Sequence, residues 1–182
     1  MHLQDYERFL IVDLEATCCD QGTIDKHDME IIEIGAVMVS AEGFTVLSEY
    51  QTFIKPIKNP RLTPFCQQLT TITQSEKDKA PGFADAIANF NGWLSQYDGF
   101  AFCSWGNYDK NQLNNDCTLH DVPNPIRAPH VNIKKVFSTK QGLKKQFGMA
   151  RALKHVGIEQ TGTHHRGIDD ARNMVRLMPY IV

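Results

Sequence analysis

Residues 9–20 read FLIVDLEATCCD, and no other stretch constrains the fold as strongly. Residues 9–12 are an unbroken apolar run, the pattern of a strand buried on both faces, and such a strand needs a packing layer above it and another below. The run delivers two carboxylates, Asp13 and Glu15, at spacing two. Side chains two apart on a strand point to the same face. A pair of acids at the edge of a buried sheet costs free energy unless something neutralises it, and a divalent cation is the usual partner. Taken alone, each also reads as an ordinary strand-end acid.

The chain has 182 residues, 42% hydrophobic and 22% charged, which suits one domain over 1–182 with a full-sized core. Its five cysteines are odd in number and contain no C-x-x-C pair, so neither a disulfide framework nor a zinc site is suggested. A reducing, cytoplasmic setting is expected. Residues 1–8 are polar and no apolar run approaches the length of a membrane span, so neither a signal peptide nor a membrane partner is expected. The net charge of −2 hides an asymmetry. Residues 122–158 contain no Asp or Glu but eight Lys and Arg, so this segment is +8 and the remainder −10. Such a division reads either as a basic surface for a polyanion or as a solvated helical face.

After the opening strand, residues 18–29 are a polar loop. Residues 30–40 (EIIEIGAVMVS) and 44–54 (FTVLSEYQTFI) read as two further strands around Gly43, so three early strands make an antiparallel meander. Pro56, Pro60 and Pro64 mark a surface connection. Phe83, Ile87, Phe90, Leu94 and Tyr97 recur at helical spacing. A short strand over residues 99–104 precedes a helix over 109–117, a brief strand over 130–133, and basic helices over 133–140 and 151–156, with Gly157 as a C-cap. The last helix begins near Ile168 and buries Ile168, Ala171, Val175 and Met178. Strand and helix alternation after a meander predicts an α/β fold, a mixed sheet with helices on its faces.

Two later acids fall where a sheet-centred site collects them: Asp109, just past the strand ending at Ser104, and Asp170, in the first turn of the last helix. Four carboxylates suffice for two divalent ions, and oxygen ligands favour magnesium or manganese over zinc. His165 stands five residues before Asp170, in the loop entering the same helix, where an imidazole serves as a base. His164 is its neighbour and competitor. Asp169 competes with Asp170 but lies about 100° around the helix, which assigns it to capping or solvent.

FLIVDLEAT, SWGNYD and HHRGIDDA together resemble the three motifs of the DEDDh family of 3′-to-5′ exonucleases. The likeness spans residues 9–178. EIIEIGAV, NPRLTPFCQQLTTITQ and GTHHRGIDDARN are similar to the branch that contains the 3′ exonuclease of histone messenger RNA and RNA interference. The resemblance implies a ribonuclease H-like fold: a five-stranded mixed sheet, its first three strands antiparallel, with helices on both faces. It implies Asp13 bridging two metals, Glu15 and Asp170 on the nucleophile-side ion, Asp109 on the second, and His165 as general base. The backbone around Glu15, Ala16 and Thr17 would hold the 3′-terminal nucleotide, Phe65 and Tyr108 would flank its base, and Leu69 and Trp105 would shape the pocket.

Two departures from the family pattern stand out. Relatives carry Trp at Tyr108 and LTGIT where this chain has LTTIT, placing Thr71 at a glycine position, changes expected to adjust the pocket and leave the metal site intact. The expected activity is release of nucleoside 5′-monophosphates from the 3′ end of RNA, with DNA as a second substrate. The alternatives are a DNA proofreading or repair exonuclease, and a catalytically silent nucleic-acid-binding regulator.

Overall fold

In a computed structural model, which describes residues 3–182, β1 (Arg8–Ala16), β2 (Ile31–Ser40) and β3 (Val46–Phe53) form the expected antiparallel meander. β4 (Phe100–Ser104) pairs parallel to β1, and β5 (His130–Asn132) parallel to β4. The order across the sheet is therefore β3-β2-β1-β4-β5, with β1 at its centre. The central position explains the apolar run: Phe9, Leu10, Ile11 and Val12 are fully buried.

Alternation along β1 divides the core in two. Phe9 and Ile11 pack beneath α5 (Ile133–Lys140), α6 (Met149–His155) and α7 (Gly167–Leu177). Leu10, Val12 and Leu14 pack beneath α3 (Phe83–Leu94) and α4 (Tyr108–Leu119) on the opposite face. Continuing the period of two sends Asp13 and Glu15 to the side that carries α7.

A contact between two glycines fixes how closely α7 approaches the sheet. A Cβ on Gly35 of β2 would lie 2.0 Å from the carbonyl carbon of Gly167, and a Cβ on Gly167 would lie 2.9 Å from the Asp13 carbonyl oxygen. Neither position accepts a side chain without backbone movement. Glu33, wholly buried on the same strand, secures the junction by accepting bonds from the Gly167 N–H and the Arg166 Nε, each at 3.2 Å.

Two helices were not anticipated: α1 (Pro64–Thr70) and α2 (Gln74–Lys79). Both are short, and α2 (QSEKDK) has no apolar stripe, so hydrophobic periodicity is silent there. Capping chemistry is not. Thr63 caps the Cys66 N–H with Pro64 at the first turn, and Thr73 with Glu76 forms a capping box. Thr71, the residue at the family's glycine position, ends α1 in the left-handed region at φ 60° and is exposed. Its cost falls on the local backbone and not on pocket shape.

Two substitutions test these readings by thermal unfolding. Gly35→Ala is expected to destabilise by at least about 3 kcal/mol, the upper range for overpacking, because backbone and not a flexible side chain blocks the new methyl. Thr71→Gly is expected to stabilise by roughly 1 kcal/mol as the left-handed strain is released.

Candidate active site

Three elements meet at the end of β1 and bring the acids together. β1 supplies Asp13 and Glu15, and the first turn of α7 supplies Asp170. One carboxylate oxygen from each lies within 4.8 Å of the others. Asp109, in the first turn of α4, opens onto the same cleft of about 610 Å³, while its Oδ1 accepts from the Leu14 N–H at 3.1 Å. Ala16, Leu69, Trp105, Tyr108, His164 and His165 also line the cleft. A larger cavity, about 900 Å³ between α3 and the 122–129 loop, has neither an acid nor a histidine among the described residues of its walls.

Electrostatics separate this cluster from the other buried acids. Glu30 accepts three backbone N–H bonds, from Ile57, Lys58 and Asn59, at 2.7–2.9 Å, which clamps the loop after β3. Asp116 accepts from the Ile31 N–H and from Gln112. Asp13 and Glu15 have no such partners: among the described residues no hydrogen-bond donor, Lys or Arg reaches either carboxylate. Burial, followed by the nearby Asp170, Glu33 and Asp109, pushes Glu15 up to about 8. Burial, followed by Asp109, Glu15 and Asp170, holds Asp13 well above the usual carboxylate range. Asp109 is pushed up to about 6 by burial, opposed by its bonds from Leu14 and Ser104. An all-oxygen cluster with no cation of its own fits hard divalent ions.

The histidines are arranged differently from the simplest sequence reading. His165 lies at φ 62° and donates its backbone N–H to Asp170 at 3.0 Å, while the His164 ring reaches the same carboxylate at 3.2 Å. The two rings stack with centroids 3.9 Å apart. His165 is the less exposed of the pair, and burial, then His164, lowers its pKa. Asp169 turns away: its carboxylate accepts from the Thr163 N–H and pairs with Arg172.

Two expected substrate contacts, Thr17 and Phe65, are not among the residues that line this cleft. Thr17 is buried, donating its N–H to the Glu30 carbonyl and accepting the Glu30 N–H on Oγ1, so it closes the ladder beyond β1 and does not line the cleft. Phe65, four residues before Leu69 and about 6 Å along the same face of α1, lines the adjoining groove beside Cys19, Asp20 and Thr23. Sequence reasoning also passed over Glu33. A charged residue inside an otherwise apolar strand was the available signal, and the structure sets it in register with Glu15.

The family model for "Exonuclease" (RNase_T) matches residues 10–178. This chain belongs to the exonuclease family. Among its relatives, the human ERI1 exoribonuclease 3 is 29% identical over 184 residues, covering 96% of this chain and 53% of that protein. The Drosophila melanogaster 3′-5′ exonuclease Snipper is 29% identical over 196 residues, covering 97% and 69%. The crystal structure of the nuclease domain of 3′hExo, a DEDDh family member, bound to rAMP superposes with a TM-score of 0.86 at 28% identity, covering 96% of this chain and 92% of that one. The chain spans about half the length of the ERI1 exoribonuclease 3 proteins it matches. Its fold is thus ribonuclease H-like, and the acid cluster meets the divalent-metal dependence of the exonuclease family. Among the described residues no helix is long and apolar enough to cross a membrane.

The raised acids couple stability and metal binding to pH. Folding holds the Glu15 proton more tightly than the unfolded chain does, so this contribution is complete below pH 4.5 and disappears as pH rises through about 8. The metal-free protein is therefore expected to melt at a lower temperature at pH 8.5 than at pH 6. A divalent cation held by these acids would replace their protons, so its affinity, measured by calorimetry, should rise by up to about tenfold per pH unit for each proton displaced.

Proposed function

We propose that this chain is a metal-dependent 3′-to-5′ exoribonuclease that releases nucleoside 5′-monophosphates, using two divalent ions, Mg2+ or Mn2+. The observation that carries the reading is the convergence of Asp13, Glu15 and Asp170, paired with no Lys or Arg among the described residues, with Asp109 and His165 in one cleft of an exonuclease-family chain. The human relative's name specifies an exoribonuclease, and rAMP bound to the similar nuclease domain supports a ribonucleoside monophosphate as product.

Bound divalent ions supply Lewis-acid activation of water and neutralise charge on the phosphoryl group in transfer. Asp13, Glu15, Asp170 and Asp109 would hold them. His165 takes the proton of the attacking water. It is favoured over His164 because its ring is the less exposed and because it occupies the base position of the family motif. Ala16, Leu69 and Trp105 shape the pocket for the terminal nucleotide. Tyr108, 46% exposed, offers a face for its base, and stacking of about 1–3 kcal/mol tolerates any sequence.

Matched RNA and DNA oligonucleotides with free or blocked 3′ ends provide the test. With magnesium or manganese, mononucleotides are expected from free RNA ends, at lower yield from DNA and not from blocked ends. His165→Ala should lower kcat by roughly 10²–10⁴-fold and spare RNA binding, whereas His164→Ala should cost less than tenfold. Wild-type turnover in His165→Ala would transfer the base role elsewhere.

A further inference from the structure

The acid-free segment 122–158 contributes a wall of the cleft through Gly148, Met149, Ala150 and Arg151. Among the described residues none of its eight Lys and Arg pairs with an acid, whereas five of the eleven elsewhere do: Arg8, Lys58, Lys77, Arg166 and Arg172. Unpaired cations on one segment leave a charge that an external anion can satisfy.

Arg151 is held in place by aromatic groups. Trp105, in the cleft wall, donates its indole N–H to the Phe147 carbonyl at 3.1 Å, and the Arg151 guanidinium lies 3.9 Å from the centroid of the Phe147 ring. A guanidinium resting on a ring keeps its in-plane N–H donors free for phosphate oxygens. α6 buries Met149, Ala152 and Leu153, so Arg151 and Lys154, three residues apart, share its exposed face. Lys144 and Lys145 are exposed in the connection leading into α6. All four lie within or no more than four residues from the stretch 148–151 that lines the cleft.

Resting on the exonuclease reading, we infer that Arg151, Lys154, Lys144 and Lys145 bind the phosphates of a single-stranded polynucleotide upstream of the nucleotide in the cleft. The track offsets the repulsion that the acid cluster exerts on an approaching phosphodiester. It grips the backbone independently of base sequence, so it confers affinity for chain length and not for sequence.

The test reads binding without divalent metal, by fluorescence anisotropy of a 5′-labelled single-stranded RNA dodecamer over a range of potassium chloride concentrations. Lys144→Ala/Lys145→Ala and Arg151→Ala/Lys154→Ala are each expected to make the slope of log affinity against log salt shallower by about 1.4, the loss of two single-strand phosphate contacts. Lys26→Ala/Lys79→Ala, on exposed lysines outside the segment, should keep the wild-type slope. Melting temperatures establish that each variant is folded, and the lysine pair carries the test should the α6 pair unfold. A wild-type slope in the folded track variants, or an equal loss in the control, would overturn the assignment. A salt slope in the wild-type protein that is lost in the track variants, together with no hydrolysis of RNA ends by the wild-type protein with metal, would overturn the exonuclease reading and uphold the track.

Discussion

The backbone of α7 at Gly167 rests directly on the backbone of β2 at Gly35, and the site depends on this contact. Asp170 belongs to the first turn of that helix, so the distance at which α7 docks decides whether its carboxylate reaches those of Asp13 and Glu15. Glu33 keeps the junction from sliding. It places a buried charge where both the Gly167 N–H and Arg166 satisfy it, and removing one partner of such a pair typically costs about 3–5 kcal/mol. The glycines permit the approach, and the ion pair orients it.

Two kinds of carboxylate follow from this architecture. Glu30, Glu33 and Asp116 are surrounded by donors and act as clamps between strands, loops and helices. Asp13 and Glu15 are packed together without donors, and burial and mutual repulsion drive their pKa values upward. The protein carries this destabilising arrangement at the end of its central strand, where a cation of higher charge relieves it. The difference between a structural acid and a ligand acid lies in what surrounds it, since the residue types are the same.

Much of this could be read before any coordinates. The apolar run and the spacing of Asp13 and Glu15 placed the central strand and the shared face, and the amphipathic pattern from Phe83 to Tyr97 located α3, which ends at Leu94. The alternation of later strands and helices predicted the mixed sheet. The shortfalls have separate causes. α1 and α2 escaped because short helices held by caps carry little periodicity. Motif position alone does not show that Thr17 is closed in a hydrogen-bond pair with Glu30 or that Phe65 faces the groove adjoining the cleft. Glu33 went unnoticed because its importance arises from Arg166, more than a hundred residues away.

By itself, the sequence determined the strand order of chemistry: which residues are acids, which share a strand face, and which segment carries uncompensated positive charge. These are local properties, set by the two-residue and 3.6-residue periods of the backbone and by composition. Tertiary structure alone decided which acids lack donors, that both His164 and His165 reach Asp170, and that Arg151 lies on Phe147 beside the cleft. Those outcomes depend on contacts between residues remote in sequence, and burial changes the energy of a charge only after the chain has closed around it.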